Sequence, residues 1–252
     1  MPKPSHTIRE DWFAETFDTL YPIVYAHRTI KAAGREAAFA AEHVGLRDTD
    51  MVLDLACGNG RHLHHLAEKT RGLVGMDYSA FLLRHARACL SERTLLVRAD
   101  MRQMPFRDCF TVVMNFFTSF GYFANEDENL AVLEGVSRAL KAGARLFIDY
   151  VNAEYVEQTL QPESVRMVDG IEILETRWID HQARRVNKST RLQRGGKILR
   201  RLSESVRLYR PWEFEELLRR HGLMVDKMFG DYSGVPLAPA YPRMIIVGHK
   251  AV

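Results

Sequence analysis

Val52-Leu53-Asp54-Leu55-Ala56-Cys57-Gly58-Asn59-Gly60-Arg61-His62 decides how the chain is read. Met51 to Leu55 is an apolar run bounded by the polar Asp48-Thr49-Asp50, which predicts a buried parallel strand. Ala56 to Gly60 breaks into a small glycine-containing turn, and a helical pattern follows with Leu63 and Leu66 on one side and Glu68 and Lys69 on the other. Strand, tight turn and helix start is an arrangement that takes a nucleotide-like ligand: glycines admit it close to the backbone, and the helix N-terminus offers free N–H groups. A second apolar run, Leu73-Val74-Gly75-Met76-Asp77, ends in an acid placed to accept both hydroxyls of a ribose.

An NAD site would share a glycine turn and a following acid. Three details favour S-adenosylmethionine (SAM). Asp54 lies inside the motif, ahead of the glycines. The turn lacks the G-x-G-x-x-G spacing of a pyrophosphate site. A third acid, Asp100, follows a third apolar run in Val97-Arg98-Ala99-Asp100-Met101. Over residues 45 to 151 the chain resembles the class I SAM-dependent methyltransferases, and sugar-amine N-methyltransferases among them.

The resemblance implies a Rossmann-like α/β fold. Its sheet would have seven mostly parallel strands in the order 3-2-1-4-5-7-6, the last antiparallel, with helices on both faces. It also implies roles for Asp54, Ala56, Gly58, Gly60, Asp77, Tyr78, Asp100, Met101, Asn115 and Phe117 around the cofactor, with Asp100 accepting from the adenine amino group and Met101 on the ring. The fourth strand, Phe110 to Phe117, departs from the family pattern: Thr111 stands where an acid is usual, at the strand start and away from the ligand end. Thr118 to Phe123 follows as an aromatic active-site loop, or as packing between the sheet and the next helix.

Upstream, residues 8 to 44 have helical spacing, broken near Pro22. Their aromatics suit either an amphipathic pair packed on the sheet or a lid over the ligand. Tyr21 to Arg28 resembles the family's N-terminal stretch, which implies that Tyr25 and Arg28 face the cofactor's amino-acid end. A buried carboxylate there calls for the planar fork of a guanidinium.

Downstream, Asp169-Gly170 and Gly195-Gly196 read as hairpin turns in a four-stranded antiparallel meander. The organisation expected is a helical lid (1–44), a methyltransferase domain (45–155 with 211–252) and an inserted sheet (156–210), which resembles the added sheet of sugar-amine methyltransferases and by that resemblance would wall the substrate or make a homodimer. Residues 184 to 201 hold eight Lys and Arg and no acid. They read as a solvated strand face that protects the sheet edge, or as a surface for an anionic substrate, a carrier domain or RNA.

Length and composition set bounds. The chain has 252 residues, 46 % hydrophobic, with net charge +3. No run approaches the ~20 apolar residues of a membrane span, and Met1 to Asp11 lacks a signal-peptide core. Cys57, Cys89 and Cys109 suit neither a disulfide framework nor zinc, so a cytoplasmic, reducing setting is expected. Arg61-His62-Leu63-His64-His65 has no acid or cysteine at ligand spacing, so no metal site is expected.

The reading is therefore SAM-dependent methyl transfer to a small-molecule N, O or C nucleophile. Tyr122, Tyr232 and Arg243 are placed at the substrate. His27, His62, Tyr122, Asp149 and Tyr232 are candidate bases among which the sequence does not choose. The alternatives are an RNA or protein methyltransferase docking through the basic meander, a SAM-binding protein without turnover, and an NAD enzyme.

Overall fold

The computed structural model describes residues 8–17, 19–26 and 28–252. Of the stretches read above, Met1 to Thr7 and His27 lie outside the described residues. In chain order the elements begin with α1 (Trp12–Thr16), α2 (Tyr21–Val24), α3 (Ile30–His43), β1 (Met51–Leu55), α4 (Arg61–Leu66), β2 (Gly72–Asp77) and α5 (Ala80–Cys89). Then come β3 (Leu95–Arg98), a 3-10 turn (Met101–Gln103), β4 (Phe110–Asn115), α6 (Glu126–Ala139), β5 (Leu140–Val151) and α7 (Ala153–Thr159). The chain finishes with β6 (Glu163–Val168), β7 (Ile171–Asp180), β8 (Arg185–Arg194), β9 (Lys197–Arg207), α8 (Pro211–Arg220), β10 (Leu223–Phe229) and β11 (Arg243–Lys250).

Seven strands form the main sheet in the order β10-β11-β5-β4-β1-β2-β3. Only β11 runs antiparallel to its neighbours, pairing β5 on one side and β10 on the other. Alternate residues of each strand serve opposite cores. Leu53, Val113 and Ile148 pack with Val132, Leu133 and Val136 of α6 and with Phe214 and Leu218 of α8. Val52, Val112 and Phe147 pack with Ala37, Ala40 and Ala41 of α3 and with Leu63 and Leu66 of α4. A sheet covered on both faces leaves the carboxyl ends of its parallel strands as the open crevice. Among the described residues, no helix is long and apolar enough to cross a membrane.

Local chemistry sets the element ends. Thr29 caps α3 by accepting from Ala32 N at 3.1 Å, and Ser79 caps α5 by accepting from Leu82 N at 3.1 Å. Asn125 caps α6, whose first turn holds Glu126, Asp127 and Glu128 against the positive end of the helix dipole. Pro22 does not split a long helix. It sits in the first turn of α2, where its missing N–H costs nothing. Strand β4 stops at Asn115, short of the expected Phe117, because Phe117 and Thr118 take φ of 61° and 58° and turn the chain out of the sheet. Thr111 lies at the N-terminal end of β4, where its hydroxyl donates to Asp50 at 2.7 Å.

The remaining four strands form a separate antiparallel sheet, β6-β7-β8-β9. It carries the basic segment, and there the solvated-face reading is corrected in part. Arg185 is buried, Lys188 pairs with Glu204 at 2.6 Å, and Arg184 pairs with Glu213. Arg185 and Lys188 turn inward because the strands put them opposite carbonyls and acids distant in sequence, while Arg184 meets its acid at the half-exposed edge. Ile171, Ile173, Leu192 and Leu202 of this sheet pack against Val24 and Tyr25. Thr16 donates to Ser203 O at 2.9 Å, and Arg166 donates to Val24 O. The N-terminal helices are thus fastened to the second sheet.

Candidate active site

A cleft of about 870 Å³, open to solvent, lies at the carboxyl ends of β1, β2 and β4. Its floor is the Ala56–Gly60 turn, with positive φ at Ala56, Gly58 and Gly60. Gly60 needs both that conformation and the absence of a side chain, since a Cβ would meet Leu90 at 2.8 Å. Asp77 closes the turn from the tip of β2: Gly58 N and Ser79 N each donate to its carboxylate at 2.8 Å. Burial raises its pKa, and those two N–H groups oppose the rise.

The three acids read from the sequence lie in or just after three neighbouring strands but differ in surroundings. Only Asp77 lines the cleft. Asp54 is 1 % exposed, and its Oδ2 has no hydrogen-bond partner. Burial raises its pKa to about 8, with Asp77 adding to the rise and Arg61 opposing it. Asp100 is occupied by a neighbour. Arg102 Nε meets its two oxygens at 3.0 and 3.1 Å, Nη2 donates at 2.6 Å, and the same guanidinium reaches Glu128. Burial works against the charge on Asp100, but these bonds hold its pKa below the usual carboxylate range.

The N-terminal helices supply the second wall: Phe13, Phe17, Tyr21 and Arg28 line the cleft. The Arg28 guanidinium lies between the rings of Tyr25 and Phe117, 3.9 and 4.0 Å from their centroids. Its Nη1 donates to the Tyr21 hydroxyl at 3.3 Å, while its Nε is buried without a partner. Among the described residues no carboxylate pairs with it. Tyr25 turns its hydroxyl away from the cleft, to Glu204, and accepts from Lys188 at 2.9 Å. The tyrosine hydroxyl beside Arg28 is therefore Tyr21, four residues earlier. Spacing along short irregular helices does not distinguish the two.

The third wall is the segment after β4. Phe116, Phe117, Ser119 and Tyr122 line it. Two successive non-glycine residues with positive φ, one of them β-branched, need external support. Asp149 supplies it: its Oδ2 accepts from Phe117 N at 2.9 Å, and its backbone carbonyl accepts from Thr118 N at 2.8 Å. Arg243 braces Asp149 at 2.6 Å and donates to Thr118 Oγ1 at 3.0 Å. Arg243 and Asp149 thus stand behind the wall. Tyr232 also lies off it, with its hydroxyl buried and unpartnered and its ring 5.5 Å from Phe39. Asn115 donates to Leu55 O at 2.8 Å, joining β4 to β1 beneath the floor.

His62 is part of the lining and is buried. Its ring stacks on Phe116 at 3.9 Å, and its Nε2 meets Glu36 Oε2 at 2.6 Å. Burial drives its pKa down to about 4 against the pull of Glu36. Burial opposes ionisation of Glu36 too, but His62 and Arg61 lower its pKa to about 2. The imidazole is neutral near pH 7, and among the described residues no three His, Cys, Asp or Glu are grouped to hold an ion.

Residues 52–143 match the model of a methyltransferase domain. The chain is a class I SAM-dependent methyltransferase. A curated relative, dTDP-3-amino-3,4,6-trideoxy-alpha-D-glucopyranose N,N-dimethyltransferase of Streptomyces venezuelae, is 27 % identical over 88 % of this chain and 96 % of its own. A cypemycin N-terminal methyltransferase of a Streptomyces species is also 27 % identical, over 90 % of this chain and 97 % of its own. A solved SAM-dependent methyltransferase of Clostridium acetobutylicum superposes with a TM-score of 0.76 at 19 % identity, covering 96 % of this chain and 99 % of that one.

This methyltransferase brings Arg28, Ala56, Gly58, Asp77, Tyr78, Met101, Phe117 and Tyr122 to the cleft wall. Tyr25, Asp54, Gly60, Asp100, Asn115, Tyr232 and Arg243 stand off it, for the reasons given. Phe13, Phe17 and Tyr21 are wall residues that the sequence offered as aromatics of a helical pair or lid, without singling them out as site residues. Their role depends on where α1 and α2 land, which is a long-range matter.

Proposed function

We propose that this methyltransferase alkylates the amine nitrogen of a small molecule, with amino sugars the first class to test. The observation that carries this reading is that, among the described residues of the cleft wall, the one carboxylate is Asp77, tied to Gly58 N and Ser79 N at the cradle, and no other side chain there is able to take a proton near neutral pH. Burial pushes the Tyr122 phenol up and drives His62 down to about 4, and Asp54 and Asp149 lie behind the wall. A phenol, alcohol or carbon acid must lose a proton as it reacts and calls for a matched base. An amine that enters as the free base already presents its lone pair. Two relatives act on amines by name, on an amino sugar in one case and at a peptide N-terminus in the other.

The residues present fit the cofactor. Asp77 would hold the ribose hydroxyls, and the bare backbone at Gly58 would let the ligand approach. Met101, Ala99 and Leu82 would pack on the adenine. Arg28, with an orphaned Nε and no acid partner among the described residues, would take the carboxylate. Bound SAM supplies a sulfonium methyl that needs no further activation. The chain's own task is to orient the acceptor and exclude water, and orientation contributes up to ~7–11 kcal/mol. Phe17, Tyr21 and Tyr122 form the apolar side of that enclosure. A plugged, non-catalytic binding site is disfavoured by the open cleft. Docking of RNA through the meander is disfavoured by the burial of Arg185 against loop carbonyls and by the pairing of Arg184 with Glu213 and of Lys188 with Glu204.

The test is calorimetry with SAM, followed by methyl transfer from labelled SAM to a panel. The panel holds a dTDP-linked amino sugar, a peptide with a free N-terminus, a catechol and tRNA. Label in an amine is the expected result. Label in the catechol with both amines inert would overturn the acceptor class, and absence of SAM binding would overturn the cofactor assignments.

A further inference from the structure

Arg185 belongs to the cationic run of the second sheet, yet its guanidinium is buried and makes no ion pair among the described residues. Its Nη1 donates to Phe123 O at 2.8 Å. Its Nη2 donates to Gly121 O at 3.0 Å, Tyr122 O at 2.8 Å and Ser205 O at 2.9 Å. Its Nε donates to Ser205 Oγ at 2.7 Å. Three consecutive carbonyls of the loop that carries Tyr122 therefore converge on one guanidinium. Only a planar fork with five donors can serve three carbonyls on one side and a serine on the other.

The loop is held at this place by the end of β9 as well, which Tyr150 of the main sheet secures in turn. Gly121 has φ of +77°, and a Cβ there would meet the Tyr150 hydroxyl at 2.7 Å. Arg207 N donates to Gly121 O at 2.9 Å, and the Tyr150 hydroxyl donates to Arg207 O. Backbone fixed at both neighbours fixes the side chain between them. The Tyr122 ring lines the cleft, 4.9 Å from Trp12 and stacked on Phe17 at 5.8 Å.

We propose that Arg185 is a positioning residue for methyl transfer. From the inserted sheet it sets Tyr122, and through Tyr122 the acceptor wall, and it leaves the Gly58–Asp77 cradle untouched. The inference rests on the reading of the cleft as the methyl-transfer site. It gives the inserted sheet a part in catalysis that does not involve contact with substrate.

The experiment uses the full chain with Trp178→Phe and Trp212→Phe, which leaves Trp12 as the only one of three tryptophans. Arg185→Lys keeps the charge without the fork. Ser205→Ala removes one anchor and none of the loop contacts, and it stands in if Arg185→Lys does not fold. Three readouts are taken: acrylamide quenching of Trp12, SAM affinity by calorimetry, and kcat and KM for the amine acceptor. The expected result for Arg185→Lys is easier quenching, SAM affinity within about threefold of the parent, and kcat/KM down by ~100-fold, the scale on which small misplacements act. Ser205→Ala moves in the same direction by less. Parent-like quenching with parent-like turnover overturns the proposal. So does a loss of SAM affinity in step with turnover, which would make Arg185 a support of the whole fold. If the parent binds SAM but methylates no amine of the panel, the acceptor class fails, and Trp12 quenching alone decides the role of Arg185.

Discussion

The turn that carries Gly58 and the loop that carries Tyr122 border one cleft, but they are held by different means. The first is local. Asp77 closes it through Gly58 N and Ser79 N, and Ser79 also caps the next helix, all within the β1–α4–β2–α5 unit. The second is assembled from afar: Asp149 and Tyr150 of β5, Arg185 of β8, Arg207 of β9 and Trp12 of α1 all bear on it. A locally closed turn can stay constant while the loop opposite is reshaped by changes in any of several distant elements. A bond links the two ends, from Ser79 Oγ to Phe17 O at 2.6 Å, so the proposed cofactor and acceptor ends are expected to vary largely, not wholly, independently.

The largest expected effect breaks the cradle alone. Asp77→Asn removes charge-assisted bonds worth ~1.5–3 kcal/mol each, so SAM affinity should fall ~100-fold or more. Trp12 quenching should remain at the parent level. Parallel changes in both would show that the two ends are coupled. Asparagine is chosen over alanine because Asp77 also holds the turn together. Next is Arg28→Met, with a loss of ~10–100-fold in SAM affinity by calorimetry. Lysine should restore only part of it, since a point charge does not reproduce a sandwiched fork. An unchanged affinity would remove Arg28 from the carboxylate.

Two smaller effects are read as stability against pH. Asp54 has a folded pKa of about 8 against an ordinary 3.8, so the fold keeps a proton that the unfolded chain releases in between. Its contribution therefore declines as pH rises from 3.8 to 8. Asp54→Asn should raise the melting temperature by several degrees at pH 8, on the order of 1–2 kcal/mol, and by nothing near pH 4. A uniform gain across pH would contradict the titration. His62 has the opposite sign. Its folded pKa of about 4 lies below the ordinary 6.5, so stability is lost as pH falls through that window. Glu36 extends the loss from 4.5 down to about 2. Melting curves of His62→Gln should be flatter than the parent's between pH 6.5 and 4. The smallest effect is expected at the exposed Lys197 and Arg201. Changing both to Ser should leave stability within ~0.5 kcal/mol and turnover unaltered, where a docking surface would show a loss.

The same division explains what the sequence could tell. The Ser79 cap and the meander's hairpins follow from turn and cap residues, because short-range chemistry sets them, and the seven-stranded order follows from the resemblance that the Val52–His62 motif carries. The side chains around the acceptor do not follow in that way. Tyr25 and Tyr21 are interchangeable on a short helix until Glu204 and Lys188, nearly two hundred residues on, claim one of them. Asp100 reads as a ligand acceptor until Arg102, two residues away, folds back on it. Arg185 looks like one of eight surface cations because nothing local reveals that three carbonyls converge on it. A guanidinium buried against carbonyls leaves no pattern in composition or spacing.

Tyr25 bridges Glu204 and Lys188, and Thr16 bonds to Ser203, so the first helices are bolted to the second sheet. Anyone building chimaeras to alter the acceptor must move residues 8–28 and 163–207 as one cassette. Exchanging either piece alone would strand Glu204 or Tyr25 without its mate and leave the cleft with a misfitted roof.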